Sequence, residues 1–161
     1  MRRQLLARVQ PYPALNPAAA LSAGTQNGVV IDRIAATPTQ PSGITAYTAY
    51  TSSAGVYDSA NIMLALGAIS GSPTATSVTV KVQHGDASDG SDMADVPTTA
   101  YIDSAPTLTS ASTNGNFDID LVGLKRYIRV VVTVAFTGGT SPAVYTTSSI
   151  VFGDGKNQPA N

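Results

Sequence analysis

The stretch GLKRYIRVVVTVAF, residues 123–136, decides how this chain is read. Three of the nine basic residues, Lys125, Arg126 and Arg129, crowd its first half, and an almost unbroken apolar run follows. Taken as a strand, it alternates with period two. Ile128, Val130, Val132, Val134 and Phe136 then form an inner row, and Tyr127, Arg129, Val131 and Thr133 an outer one. The outer row holds too much apolar surface for a freely solvated face, so the pattern predicts a cover, either a loop or another subunit. The basic residues then read as the rim of a protein contact, with Asp118 or Asp120 as expected cross-strand partners.

The same period runs through the rest of the chain. Strands are expected at 28–34, 58–69, 77–84, 116–121 and 143–152. In the second, Ile62, Leu64 and Leu66 oppose Asn61, Met63 and Ala65; in the third, Val78, Val80 and Val82 oppose Thr79, Lys81 and Gln83. Turn signals separate them: ISGSPT, GDASDGSD, STNGN, TGGTSP and GDGKN. The Gly138–Gly139 pair suits a hairpin between the last two strands. Many strands, Gly/Ser/Pro turns and no convincing helix predict an all-β, antiparallel β-sandwich or barrel, of which the two-sheet β-sandwich is the expected form. Residues 28–161 form that domain, and 33–56 within it are a long loop or an edge-strand insertion, with one edge strand through Ile44–Thr51. Residues 1–27 read as an extended N-terminal arm, kept open by Pro11, Pro13 and Pro17 and ordered on a neighbour through Leu5, Leu6, Val9, Tyr12 and Leu15.

Composition excludes much chemistry. The 161 residues hold no Cys, a single His and no Glu, and only 12% are charged. Disulfides and thiolate metal sites are out. A net charge of −1 does not favour nucleic acid, and no apolar run is long enough to span a bilayer. The N-terminus does not read as a secretory signal, because Arg8, Gln10 and three prolines break its apolar segment. His84 is the only imidazole, and no nucleophile elbow accompanies it. Asp118 and Asp120 sit two apart on one strand face, without the contrasting environments a glycosidase needs. Asp86, Asp89, Asp92 and Asp95 recur every third residue in a Gly-containing loop. That suits an irregular calcium site or a hydrophilic hairpin tip, but the EF-hand spacing and its Glu are missing. No catalytic residue, metal site or cofactor is therefore assigned.

The order of the pieces "MRR-LLARV", VVID, YDSANIMLALGAISGS, VTVKVQHGDASDGSDMADV, GLKRYIRVVVTV and a final VFGDGKNQPA resembles the capsid cement or decoration proteins of tailed bacteriophages. The chain departs from that pattern in the length of 33–56 and in ending its last strand with Phe152–Gly153. The resemblance implies a jelly-roll-like sandwich without enzyme activity, made in the host cytoplasm and carried on the outer surface of the virion capsid. It implies as partners the major capsid protein and neighbouring copies in a dimer or trimer, and neither nucleic acid nor membrane. The contact residues expected are Arg2, Arg3, Leu5, Leu6, Arg8, Val9, Tyr12, Leu15, Tyr127, Arg129 and Val131. A second reading is a binding module for host-surface glycan, with Tyr47, Tyr50 and Tyr57 as stacking platforms.

Overall fold

A computed structural model describes residues 10–33, 37–38 and 57–153. They form a β-sandwich of two antiparallel sheets, and the helical content among them is one 3-10 turn at Thr98–Ala100. Four long strands carry it: β5 (Ser59–Ser70), β6 (Ala75–Gly85), β10 (Tyr127–Thr137) and β11 (Ala143–Gly153). With β1 (Gln10–Leu15) and β9 (Asn114–Asp120), β11 and β5 make the four-stranded sheet, in the order β1-β11-β5-β9. The larger sheet runs β4-β3-β10-β6-β7, from β3 (Ile31–Asp32), β4 (Thr37–Pro38) and β7 (Ala94–Asp95). Two further short strands attach to it: β2 (Gly24–Asn27) on β10 and β8 (Thr107–Leu108) on β6.

The period-two pattern sets the layers. Val78, Val80, Val82, Ile128, Val130, Val132 and Val134 face inward from the larger sheet. They meet Ile62, Leu64, Leu66, Phe117, Ile119, Ile150 and Phe152 of the smaller one. Thr146 and Ser148 also point into this core, and their hydroxyls donate to the carbonyls of Ala65 (3.1 Å) and Met63 (2.8 Å), so neither is left unsatisfied.

Gly138–Gly139 does not close a hairpin, contrary to the sequence reading. β10 pairs with β6 and β11 with β5, so the turn carries the chain from one sheet to the other. The connection from β5 to β6 does the same. The two arches lie side by side: Thr74 N donates to Thr137 O (2.7 Å) and Thr140 N to Gly71 O (2.8 Å). A glycine pair fits either connection. Which of the two forms depends on sheet pairing, which local sequence does not encode.

The boundary drawn at residue 27 also shifts. β1 and β2 both lie in the presumed arm, yet β1 pairs with β11 and β2 with β10. Tyr12 and Leu15 are buried in this chain's own core, Tyr12 edge-on to Phe152 at 5.8 Å, so neither is an anchor held out to a neighbour. Pro11 and Pro13 are two apart on a strand at the sheet's edge, so their missing N–H groups fall on one side and the ladder to β11 survives. Residues 1–9, which include Arg2, Arg3, Leu5, Leu6, Arg8 and Val9, lie outside the described residues. So do Tyr47, Tyr50 and the edge strand expected at 44–51.

Candidate functional site

The basic flank of β10 is consumed within the chain. Arg126 grips Asp32 of β3 through Nε and Nη2, the latter at 2.7 Å, and its guanidinium stands 5.3 Å from the Tyr127 ring centroid. Lys125 pairs with Asp86 at 2.9 Å, which holds its ammonium above the usual range. Arg129 Nε donates to Gln83 Oε1 (2.8 Å), and Gln83 Nε2 donates to Asp95 Oδ1 (2.7 Å). Lys81 closes this ladder on the same carboxylate at 2.8 Å. Asp118 and Asp120, the partners expected from sequence, stand on β9 in the other sheet.

Val131 is 1% exposed, so it is not a surface contact. The cover anticipated over its row comes from this chain. Asn27 of β2 and Lys81 of β6 lie directly across from it, and opposed side chains share a face. The 86–93 loop leans on the same face: a Cβ added at Gly90 would stand 2.8 Å from Val30 Cγ2 and 3.5 Å from Arg129 Nη1. Tyr127 and Arg129 stay half-buried.

The aspartates of that loop are spent on structure. Asp92 accepts from Asp86 N (2.8 Å) and Ala87 N (3.0 Å), and Asp89 accepts from Ser91 N (3.0 Å). These backbone donors favour the charged form and hold both carboxyls below their usual range. Among the described residues no group of three or more His, Cys, Asp or Glu is arranged to hold a metal ion.

His84 and Arg33 pin the 121–126 turn to the end of the sandwich. His84 Nδ1 accepts from Lys125 N (3.2 Å), so the ring is held neutral on that side. Burial pushes its pKa down, and the nearby Lys125 adds to this. The buried Arg33 guanidinium donates to the carbonyls of Leu121 (2.6 Å), Tyr57 (3.4 Å) and Leu124. Its Nε has no hydrogen-bond partner, and burial lowers its pKa against the opposing pull of Asp58. Tyr57 is 2% exposed and stacks on Phe152 at 5.4 Å, which removes it from the proposed sugar platform.

The outer face of the four-stranded sheet has a different character, and the sequence reading passed over it. Its rows run Pro11–Val151–Asn61–Asp118 and Pro13–Ser149–Met63–Asn116, followed by Thr147–Ala65–Asn114. Met63 and Tyr145 are about half exposed there, Tyr145 lying over Gly67. No cation stands in these rows, whereas the larger sheet carries the Arg129–Gln83–Asp95–Lys81 ladder. The signal was present as Met63 alternating with core residues, but an exposed Met becomes informative only once its strand's neighbours are known. No helix among the described residues is long and apolar enough to cross a membrane. Comparison with protein-family models, with curated proteins and with solved structures found no match.

Proposed function

We propose that this chain is a structural virion protein, a capsid cement or decoration subunit that binds the outside of a phage head and bridges its capsomers. The observation that carries the reading is the outer face of the four-stranded sheet. It offers small, polar and apolar groups over four strands, with Met63 and Tyr145 standing out of it and its charge confined to Asp118 and Asp120 on β9. A surface of this kind suits contact with another protein rather than with solvent or polyanions. The resemblance of the strand and turn order to phage decoration proteins points the same way, and a jelly-roll-like arrangement belongs to this proposal. The role involves no catalytic step and no cofactor. Repeated weak contacts across a symmetric lattice would supply the strength by avidity.

The test is to mix the purified chain with expanded heads of the phage that encodes it, prepared without this protein. Binding that saturates at a fixed ratio to the shell subunit, and raises the temperature at which heads rupture, is the expected result. Heads that neither take up the chain nor gain stability would refute the proposal. The glycan-binding alternative loses Tyr57 and has no observation in its favour among the described residues.

A further inference from the structure

We propose that the 121–126 turn is a latch opened by acid: a proton on His84 Nδ1 frees Leu124 and Lys125 from the end of the sandwich while both sheets stay folded. The device needs no partner. The turn carries the chain from β9 of the smaller sheet to β10 of the larger one. Its middle touches little: Val122 is 62% exposed, and a Cβ added at Gly123 would meet nothing within 4 Å. Its ends are held hard. Leu121 N donates to Asp58 O (2.8 Å), Arg33 N donates to Arg126 O (3.2 Å), and the Arg126 side chain grips Asp32. Between these ends, Leu124 is buried against the core and Lys125 reaches across to His84 and the 86–93 loop. Residues 122–125 are therefore the part of the turn that can swing.

Both contacts of Lys125 depend on one proton. Lys125 N donates to His84 Nδ1 (3.2 Å), and Lys125 Nζ lies 2.9 Å from Asp86 Oδ2 and 3.9 Å from Asp92 Oδ2. Only a neutral ring accepts at Nδ1; a proton there sets one N–H against another. The same proton places an imidazolium near the ammonium and makes the two compete for Asp86 and Asp92. The charges facing the ring are Lys125 from the turn, Arg33 just after β3, and Asp86 and Asp92 from the 86–93 loop. β7 and β10 bring Ala94 and Ile128 opposite His84, and neither titrates. Burial and the two cations outweigh the two carboxylates, so the closed turn holds the ring below its ordinary value of 6.5. Opening relieves the conflict and lets the ring return toward that value. The advantage of the closed form is thus complete above pH 6.5 and is lost as pH falls toward the lowered pKa. At neutral pH the burial of Leu124 and the Arg33 bond to Leu124 O keep the latch shut. When it opens, Arg33 keeps the carbonyls of Leu121 and Tyr57. The ladders of β9 with β5 and of β10 with β6 run on main-chain bonds that the imidazole does not enter.

The experiment is amide hydrogen exchange read by NMR on the full-length chain between pH 7.5 and 5, without denaturant. The protection factor of Lys125 should fall by up to about tenfold per pH unit below 6.5, as one linked proton requires, while those of Val130 and Val132 hold. The His84 ring protons should titrate with a midpoint below 6.5, and the amide shifts of Leu124 and Lys125 should move with that same midpoint. In His84→Gln, which keeps an acceptor for Lys125 N but takes up no proton, Lys125 protection should no longer vary with pH. Protection of Lys125 that is constant in the wild-type chain overturns the proposal. So does protection lost in step with Val130 and Val132, which would mean global unfolding, and a pH dependence that survives in His84→Gln, which would assign it to the aspartates. If His84→Gln does not fold, the wild-type titrations decide alone: ring and amide midpoints that differ refute the latch.

Discussion

At Gly28 two main chains meet. An added Cβ would stand 2.3 Å from Ala14 O and 2.7 Å from Val130 O, both backbone atoms held by their own hydrogen bonds. Gly28 N donates to Val130 O and Val29 N to Ala14 O, so this point ties the edge of one sheet to the centre of the other. Gly28→Ala should lower stability by about 2–4 kcal/mol, in the upper range for single substitutions. Gly123→Ala, with φ +78° and nothing within 4 Å, should cost only about 1–2 kcal/mol. Urea denaturation of both variants checks the contrast. Arg33 makes a second such point. Arg33→Lys keeps the charge but loses the fork that reaches three carbonyls, and should cost about 2–3 kcal/mol in the same assay. His84 gives a pH dependence whose sign follows from its depressed pKa. Above its ordinary value of 6.5 both folded and unfolded states hold it neutral. As pH falls below that, the unfolded state takes up the proton first, so stability drops until the lowered folded pKa is passed. Lys125 and Arg33 oppose the charged ring, while Asp86 and Asp92 favour it. The urea midpoint should therefore decline between pH 7 and 5, and His84→Gln, which retains an acceptor, should flatten that decline.

Among elements, the paired arches matter most. Gly71 has φ +75° and an added Cβ would meet Thr140 O at 2.5 Å; Gly139 has φ +82° and would meet Gly71 O at 2.5 Å. Each arch also carries a Ser with φ 47° just before a proline, Ser72 and Ser141. The two crossings mirror each other, one running from small sheet to large and the other from large to small. Because each glycine fills the other arch's space, Gly71→Ala and Gly139→Ala should each destabilise by about 2–4 kcal/mol. The double variant should lose less than the sum, since the first substitution already opens the contact. A double-mutant cycle measured by chemical denaturation tests this. Additive losses would show that the arches are independent. β1 carries a lesson of another kind: its prolines exclude a central strand but not an edge one, so PYPAL became legible as a strand only beside β11.

For the molecule as a whole, one core joins the sheets, and β5, β6, β10 and β11 each contribute to it. Amides of these four strands should exchange with solvent only through global unfolding, while the two-residue strands β7 and β8 exchange faster; hydrogen exchange read by NMR would show one slow group spanning both sheets. The amino-acid sequence by itself determined the all-β class, the inner rows of the long strands and most turn positions. It could do so because strand periodicity and turn chemistry act over a few neighbouring residues. The tertiary structure alone decided the rest. It placed the Gly138–Gly139 turn between sheets, drew Tyr12 and Leu15 into the core, and paired Arg126 with Asp32 and Lys125 with Asp86 instead of with β9. It also separated an outer face laced with cations and carboxylates on the larger sheet from one without cations on the smaller. All of these depend on which strands become neighbours, a property of contacts far apart in sequence that no local pattern of residues contains.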